Sequence, residues 1–306
     1  MQYTDSVNRI IWRYGFFFLA TIYILFLLFQ YLNWDDGNRL IVANQKTIYA
    51  NNLINIEGVI LGGSNSAFSL SAEIISKNYN ESWINLSLMN EGYNDKNYFS
   101  YIKNTIDKTQ RSKVKKVFYS SIVPMRDNFI SKRVSSSDPI NGSQKFNLIS
   151  ESSIAGLLKS IIQKQSLETV MYTMPNEFGD YIFSGFECPK NFNAFPKKRN
   201  NNIEQINDWI SMQLSSLLYL FPNAQIVFIL PSEYHQPKFD KSLDKILFKA
   251  IEESIDDFND LNSQSILFIK QASFPSLKFM CDSDNHANYE GRVWRTKDLL
   301  SKIQFF

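Results

Sequence analysis

The chain has 306 residues, and its 32 basic and 30 acidic side chains leave a formal net charge of +2. That balance does not provide the basic surface of a nucleic-acid-binding protein, and the scattered Lys and Arg groups, such as those in residues 113–116, are predicted to be solvated. The sequence has no internal repeat and no long low-complexity tract. Length and composition therefore favour one globular domain, joined to the apolar segment described next.

A membrane-spanning helix is predicted for residues 14–33. The run from Tyr14 to Leu32 has 19 residues and no charged side chain. At about 1.5 Å per residue it nearly crosses a hydrocarbon core of roughly 30 Å. Two arginines precede the run and two aspartates follow it. The positive-inside rule therefore places residues 1–13 in the cytoplasm and the remainder of the chain outside the inner (cytoplasmic) membrane, in the periplasm.

Two other interpretations of the apolar run fit the sequence less well. A cleaved signal peptide would need a shorter apolar core and a cleavage site with small residues, which this run does not have. A buried core helix would rarely contain so long an unbroken apolar run. An uncleaved single-pass anchor is therefore the favoured prediction.

Residues 34–56 are predicted to be a linker, and residues 57–306 one extracytoplasmic domain in which strand and helix patterns alternate. The apolar runs of strand length cover residues 58–61, 83–88, 116–123, 225–230 and 265–270. Helical patterns separate the strands at residues 72–77, 98–108, 203–220 and 243–261, and a last amphipathic stretch covers residues 289–303. This alternation predicts an α/β fold in which helices cover both faces of a parallel sheet.

Residues 124–202 interrupt the alternation. This segment is rich in Ser, Asn and Lys, contains Pro139, Pro175, Pro189 and Pro196, and has one helical piece at residues 154–165. We interpret it as an insertion after the third strand that lies over the sheet edge. A lid, a partner-binding surface and a decorated loop are all compatible with its composition.

A candidate nucleophile follows the first strand. Gly62 and Gly63 precede Ser64 at a strand-to-helix turn, which is where an α/β hydrolase exposes its serine. A serine hydroxyl becomes a useful nucleophile only when an imidazole takes its proton and a carboxylate orients that imidazole. The alternative interpretation of Ser64 is an ordinary helix N-cap, a position that Ser favours.

The matching base is predicted near the carboxyl end of the domain. His286 follows the fifth strand, and Asp282 and Asp284 stand four and two residues before it. Ligands bind outside the carboxyl ends of parallel strands, so Ser64 and His286 are expected at one edge. In a tight or helical turn, positions four apart share a face, which favours Asp282 as the orienting carboxylate and leaves Asp284 as the alternate. His286 could instead be a surface or capping histidine.

The motifs resemble the SGNH (GDSL-like) hydrolase superfamily. The likeness is greatest to its membrane-anchored members, which accompany membrane-bound O-acyltransferases in alginate O-acetylation and teichoic-acid D-alanylation. It covers residues 57–123 and 223–303. The family's first block, a strand followed by Gly-x-Ser, matches Gly62-Gly63-Ser64, and Asn65 follows in the style of the anchored members. The tail of the last block matches His286-Ala287-Asn288-Tyr289-Glu290-Gly291.

The resemblance implies a flavodoxin-like three-layer α/β fold and a role for several residues. Ser64 would be the nucleophile and, through its backbone N–H, an oxyanion donor. Gly92, after the second strand, would be the other donor. Asn65 and Asn288 would contact substrate, and so would His235, after the fourth strand, although a solvated loop histidine is the simpler interpretation of His235.

The chain departs from the family pattern in two places. Ser283, not an acid, stands three residues before His286. The family's Gly-x-Asn after the third strand is replaced by Ser120-Ser121-Ile122-Val123-Pro124, a loss that the anchored relatives commonly share. The second departure argues against a typical free esterase more than against the fold.

The two cysteines, Cys188 and Cys281, would lie in an external compartment, where disulfides persist. A bridge between them would tie the insertion to the loop that carries His286. Closing a loop of about 93 residues would stabilise the fold by roughly 4–5 kcal/mol in the chain-entropy model. Two unrelated buried thiols are the alternative.

No metal and no cofactor are expected. Asp282 and Asp284 could bind a cation together with Asp127 or Asp180, but no ligand spacing supports such a site.

Three functions are compatible with the sequence. The first is an anchored serine O-acetyltransferase or esterase that acts on a cell-surface polysaccharide and works with a multi-pass membrane-bound O-acyltransferase. The second is a non-catalytic scaffold that binds polymer or such a partner. The third is an anchored lipid esterase.

Overall fold

Five parallel strands form the central sheet of the computed structural model, which describes residues 14–15, 17–18, 20–22, 37–88, 95–125, 174–182, 202–234, 242–270, 273–283 and 286–303. The strands are β1 (Gly58–Gly62), β2 (Trp83–Asn85), β3 (Lys116–Ser120), β4 (Gln225–Ile229) and β5 (Leu267–Ile269). Their order is β2-β1-β3-β4-β5, and every neighbouring pair is parallel. This order is that of flavodoxin-like sheets, so the predicted architecture is confirmed.

Helices cover both faces of the sheet. They are α1 (Gly37–Asn52), α2 (Ser64–Ser69), α3 (Ala72–Tyr79), α4 (Asp95–Thr105), α5 (Lys108–Arg111), α6 (Ile203–Leu220), α7 (Ser242–Asn262) and α8 (Tyr289–Lys302). Short 3₁₀ helices lie at Val123–Met125 and Leu277–Phe279, and an antiparallel hairpin joins β6 (Met280–Ser283) to β7 (His286–Ala287).

Alternate residues of each buried strand enter two separate cores. Val59 and Leu61 of β1 pack with helices α1, α4, α6 and α7 on one face. Ile60, between them, packs with α3 and α8 on the other face. Because successive side chains of a strand point to opposite sides, a strand with both faces covered must be apolar throughout. The continuous apolar runs of the sequence have this cause.

The segment predicted to be a linker, residues 34–56, is largely helical, and that prediction was wrong. Helix α1 buries Val42, Ala43 and Ala50 against the sheet. Val42, Lys46 and Ala50 are spaced by four residues and all are buried, so they form one helix face. The pattern was missed because the apolar side chains on this face are small and a lysine interrupts them.

The predicted anchor falls mostly outside the described residues. Seven residues between Tyr14 and Ile22 are described, all of them helical, and Tyr14, Phe17 and Phe18 are exposed. No helix in the described part of the chain combines the length and the apolar character that a bilayer crossing requires. The anchor stays a prediction.

Candidate functional site

Gly62 shapes the turn that follows β1. Its φ is +129°, and a Cβ at this position would lie 1.9 Å from the backbone oxygen of Ser120 on β3. The backbone N–H of Gly62 donates to the hydroxyl of Tyr98, 2.8 Å away. Only glycine combines that backbone conformation with so close an approach to the neighbouring strand.

Ser64 is the first residue of α2, and the N-cap is Gly63. The interpretation of Ser64 as an ordinary N-cap is therefore wrong. Ser64 is half-buried, whereas the residues that follow it, from Asn65 to Ser69, are buried. The N–H groups of a helix's first turn, which here include that of Ser64, have no acceptor within the helix.

Arg295, on α8, is buried and supports the turn at residues 62–65 (the serine turn) by hydrogen bonds. Its Nη1 donates to the backbone oxygen of Asn65 at 3.0 Å, to Asn65 Oδ1 at 2.5 Å and to the Ser69 hydroxyl. Its Nη2 donates to the Ser120 hydroxyl at 3.1 Å. Burial, partly offset by Asp298, lowers the pKa of Arg295 to about 9, so the side chain is a cation at neutral pH. One guanidinium thus links α2, α8 and the end of β3.

Asn65 is fully buried, and both ends of its amide are bonded within the protein. Its Oδ1 accepts from Arg295, and its Nδ2 donates to the backbone oxygen of Ser232, after β4, at 3.0 Å. These contacts hold the serine turn against the loop after the fourth strand. They are the contacts of a residue that positions the turn, whereas a direct substrate contact had been expected for it.

His286 lies on the β6–β7 hairpin, not on a helical turn. Ser283 pairs with His286 across the two strands, and the register is irregular between Met280 and Ser283. The argument that residues four apart share a face holds on a helix, so the hairpin gives it no support, and the choice between Asp282 and Asp284 stays a prediction. The backbone of Asp282 is in β6, while its side chain and all of Asp284 lie outside the described residues.

The serine turn and the β6–β7 hairpin, which carries His286, contact each other at the carboxyl edge of the sheet. The ring centroid of half-buried His286 lies 4.9 Å from that of Phe68, with the rings tilted by 35°. Phe68 is four residues after Ser64, and residues with that spacing share a helix face. Cα atoms of α2 and β7 lie within 8 Å of one another. The imidazole of His286 and the hydroxyl of Ser64 are thus carried by two elements in direct contact.

Two further residues, both unforeseen from the sequence, flank Phe68. The ring of Tyr181 stacks on Phe68 with centroids 4.9 Å apart and planes 18° apart. The Arg292 side chain donates to the backbone oxygens of Phe68, at 3.1 Å, and Tyr181, at 2.7 Å. The spacing of Arg292 and Arg295 by three places them on one helix face, but the sequence does not show that this face is buried.

Lys46 is a third residue that was not predicted from the sequence. Its ammonium is fully buried, donates to the backbone oxygen of Ser87 at 2.7 Å and lies 4.8 Å above the Tyr181 ring. Burial lowers its pKa to about 7, with Asp180 opposing the shift and Arg292 adding to it. It could not be recognised because its segment had been interpreted as a linker.

Asn288 is the N-cap of α8. Its Oδ1 accepts from the backbone N–H of Gly291 at 3.0 Å, and its Nδ2 donates to the backbone oxygen of Lys278 at 2.6 Å. This half-buried side chain therefore fixes the start of α8 relative to the 3₁₀ helix before β6. A substrate contact, the role implied by the family resemblance, is not needed to explain its geometry.

Of the other predicted site residues, the structure describes Cys281. Gly92, His235 and Cys188 lie outside the described residues. Cys281 is buried and disulfide-bonded. Within the described ranges, no group of three or more His, Cys, Asp or Glu side chains could hold a metal ion.

Comparisons with known proteins return distant likenesses. No family model and no curated protein matches the chain. One similar structure is an acetyl xylan esterase (Est2A) from the rumen bacterium Butyrivibrio proteoclasticus, with a TM-score of 0.41 and 10% identity over 81% of this chain and 63% of that one. The chain therefore spans less than two thirds of that esterase.

A second similar structure is described as a candidate platelet activating factor from Streptococcus pneumonia. Its TM-score is 0.43, with 8% identity over 92% of this chain and 98% of that one. Likenesses at this level carry no argument about activity, so the functional inference depends on the residues of the site.

Proposed function

We propose that this chain is a serine-dependent acyl-transfer enzyme, an esterase or O-acetyltransferase, with Ser64 as nucleophile and His286 as base. The observation that supports it is the contact between α2, which begins with half-exposed Ser64, and the hairpin that carries His286. The orienting carboxylate would be Asp282 or Asp284. The imidazole and the serine are then members of one site at the carboxyl edge of the sheet.

The reaction follows from these groups. The Ser64 oxygen attacks the acyl carbonyl carbon while His286 takes the hydroxyl proton, and the backbone N–H of Ser64 binds the developing oxyanion. The bond to the alcohol breaks, and His286 returns the proton to the departing oxygen. A second hydroxyl, from water or from a sugar, then takes the acyl group by the reverse steps and restores the serine.

The acceptor and the cellular setting belong to the same proposal. The family resemblance, together with the apolar run at residues 14–33, supports a domain held at the outer face of the cytoplasmic membrane. There it would modify a cell-surface polysaccharide with acyl groups supplied by a multi-pass membrane-bound O-acyltransferase. A soluble ester substrate would bypass that partner in an assay.

A fluorophosphonate probe tests the chemistry directly, because it bonds to activated serines only. The full-length protein in detergent should be labelled, and Ser64→Ala and His286→Ala should each abolish labelling. Ser301→Ala is the matched control, since Ser301 is an exposed serine of α8. Thermal unfolding of each variant verifies that it folds. Labelling that survives Ser64→Ala would contradict the assignment of the nucleophile.

A non-catalytic scaffold is the second candidate, and one observation favours it. The cross-strand partner of His286 is Ser283, where the family pattern has an acid. A folded wild-type protein that takes up no probe would support this alternative. Binding of a polysaccharide or of a membrane-bound O-acyltransferase would then be measured with Ser64→Ala, which a scaffold should tolerate.

A further inference from the structure

A short turn from the insertion is docked beside the candidate site. Residues 174–182 return on themselves through a bridge between Pro175 and Tyr181. Asn176 Oδ1 accepts from the backbone N–H groups of Phe178 and Asp180, both at 3.0 Å. The turn at residues 174–182 is therefore held by hydrogen bonds of its own in addition to its contacts with the sheet.

The turn is fixed to the edge strand β2. The backbone N–H of Asn85 donates to the backbone oxygen of Phe178 at 2.8 Å. Gly179 has φ of +76°, and a Cβ there would lie 2.3 Å from the backbone oxygen of Asn85. So close an approach of the two backbones requires glycine and leaves little freedom for the turn to shift.

Asp180 adds a second attachment, to α3. Its buried carboxylate accepts from the backbone N–H of Ala72 at 2.9 Å, from the backbone N–H of Glu73 at 3.1 Å and from the Ser71 hydroxyl at 2.7 Å. A carboxylate at the first turn of a helix accepts hydrogen bonds from N–H groups that have no acceptor within the helix, and its negative charge interacts favourably with the helix dipole. Tyr181, the next residue, is consequently held at a defined place.

The ring of Tyr181 is linked to that of His286 through the ring of Phe68, which lies against both. It is 1% exposed and stacks on Phe68, and the ring of His286 also lies 4.9 Å from Phe68. Arg292 donates to the backbone oxygens of both Tyr181 and Phe68, so the two residues are held in register. Contacts between stacked rings restrict the rotamers that Phe68, and with it the imidazole, can adopt.

We propose that Tyr181 is a positioning residue: through Phe68 it holds the His286 ring beside the start of α2. The insertion is then a structural part of the site, and its docked turn defines where the imidazole stands. This inference rests on the proposed function for its catalytic consequence, but the position of the ring can be measured without catalysis.

The test compares Tyr181→Leu with Tyr181→Phe, which keeps the ring. Phe258→Leu, a buried aromatic of α7, is the control for a general loss of packing. In full-length protein with ¹³C-labelled histidine, the imidazole signal of His286 is assigned with His286→Ala. Tyr181→Leu should move that signal because the ring current of Phe68 acts on it, whereas Tyr181→Phe and Phe258→Leu should leave it in place.

The rate of fluorophosphonate labelling provides the functional readout. A small misplacement of a catalytic group costs about tenfold to a hundredfold in rate, so Tyr181→Leu should lose that much and Tyr181→Phe should recover it. A folded Tyr181→Leu protein with an unmoved His286 signal overturns the inference. Absence of labelling in wild type would refute the proposed function alone, since the histidine signal still decides the position of the ring.

Discussion

Lys46 should make the folding stability of this protein depend on pH in an unusual direction. Burial lowers the pKa of its ammonium from the ordinary 10.5 to about 7. Between those two values the unfolded chain carries a proton at Lys46 that the folded protein has released. Stability should therefore rise with pH across this window. Below about pH 7 both states are protonated, and the folded state bears the full cost of the buried charge.

The size of the effect follows from linkage. Each pH unit of complete difference in protonation is worth about 1.4 kcal/mol. From pH 7 to pH 9, allowing for half-protonation at the start, Lys46 should contribute about 2 kcal/mol of additional stability. Lys46→Met removes this term. It also leaves the backbone oxygen of Ser87 without its donor, which costs roughly 1–3 kcal/mol at every pH.

Urea unfolding of the full-length protein, followed by tryptophan fluorescence at pH 7 and pH 9, measures both quantities. The wild type should gain about 2 kcal/mol more than Lys46→Met over this interval. Lys103→Met, which removes an exposed lysine of α4, is the control and should change with pH as the wild type does. Equal pH dependence in wild type and Lys46→Met would refute a lowered pKa at Lys46.

Two further substitutions test how the serine turn is held. Gly62→Ala should lower the free energy of unfolding by at least about 3 kcal/mol or prevent folding, because the added Cβ would lie 1.9 Å from the Ser120 oxygen at a φ of +129°. A folded variant that unfolds like the wild type would contradict this account. Gly15→Ala is the control, since nothing lies within 4 Å of its added Cβ. Arg295→Lys keeps the charge but loses the guanidinium N–H groups that donate to Asn65, Ser69 and Ser120. The free energy of unfolding, measured by thermal unfolding, should fall by about 2–4 kcal/mol, and probe labelling should fall with it. An unchanged melting temperature would show that one donor suffices.

The sheet could be predicted from the sequence because buried parallel strands are apolar at every position. Val59, Ile60 and Leu61 illustrate the reason, since neighbours in the chain enter opposite cores. Helix α1 could not be predicted in the same way. Its buried face consists of small residues and a lysine, a composition that a polar linker also has.

The choice between Asp282 and Asp284 as the carboxylate beside His286 could not be made from the sequence, for a different physical reason. Four-residue spacing has a meaning on a helix, and the segment is a hairpin in which Ser283 faces His286. Hairpin and helical turn are close alternatives for a short polar stretch, and only the pairing of β6 with β7 decides between them. The role of Asn65 was likewise decided by Arg295, 230 positions away in the chain.

The sequence by itself determined the alternation of strands and helices, the parallel sheet, and the placement of Ser64 and His286 at its carboxyl edge. Local pattern suffices there, because strand periodicity and parallel topology fix which ends of the strands coincide. Only the tertiary structure decided that Arg295 holds the serine turn, that Lys46 is buried, and that Tyr181 from the insertion stacks on Phe68. These contacts join residues far apart in the chain, and their energies come from burial and hydrogen-bond geometry that no local pattern encodes.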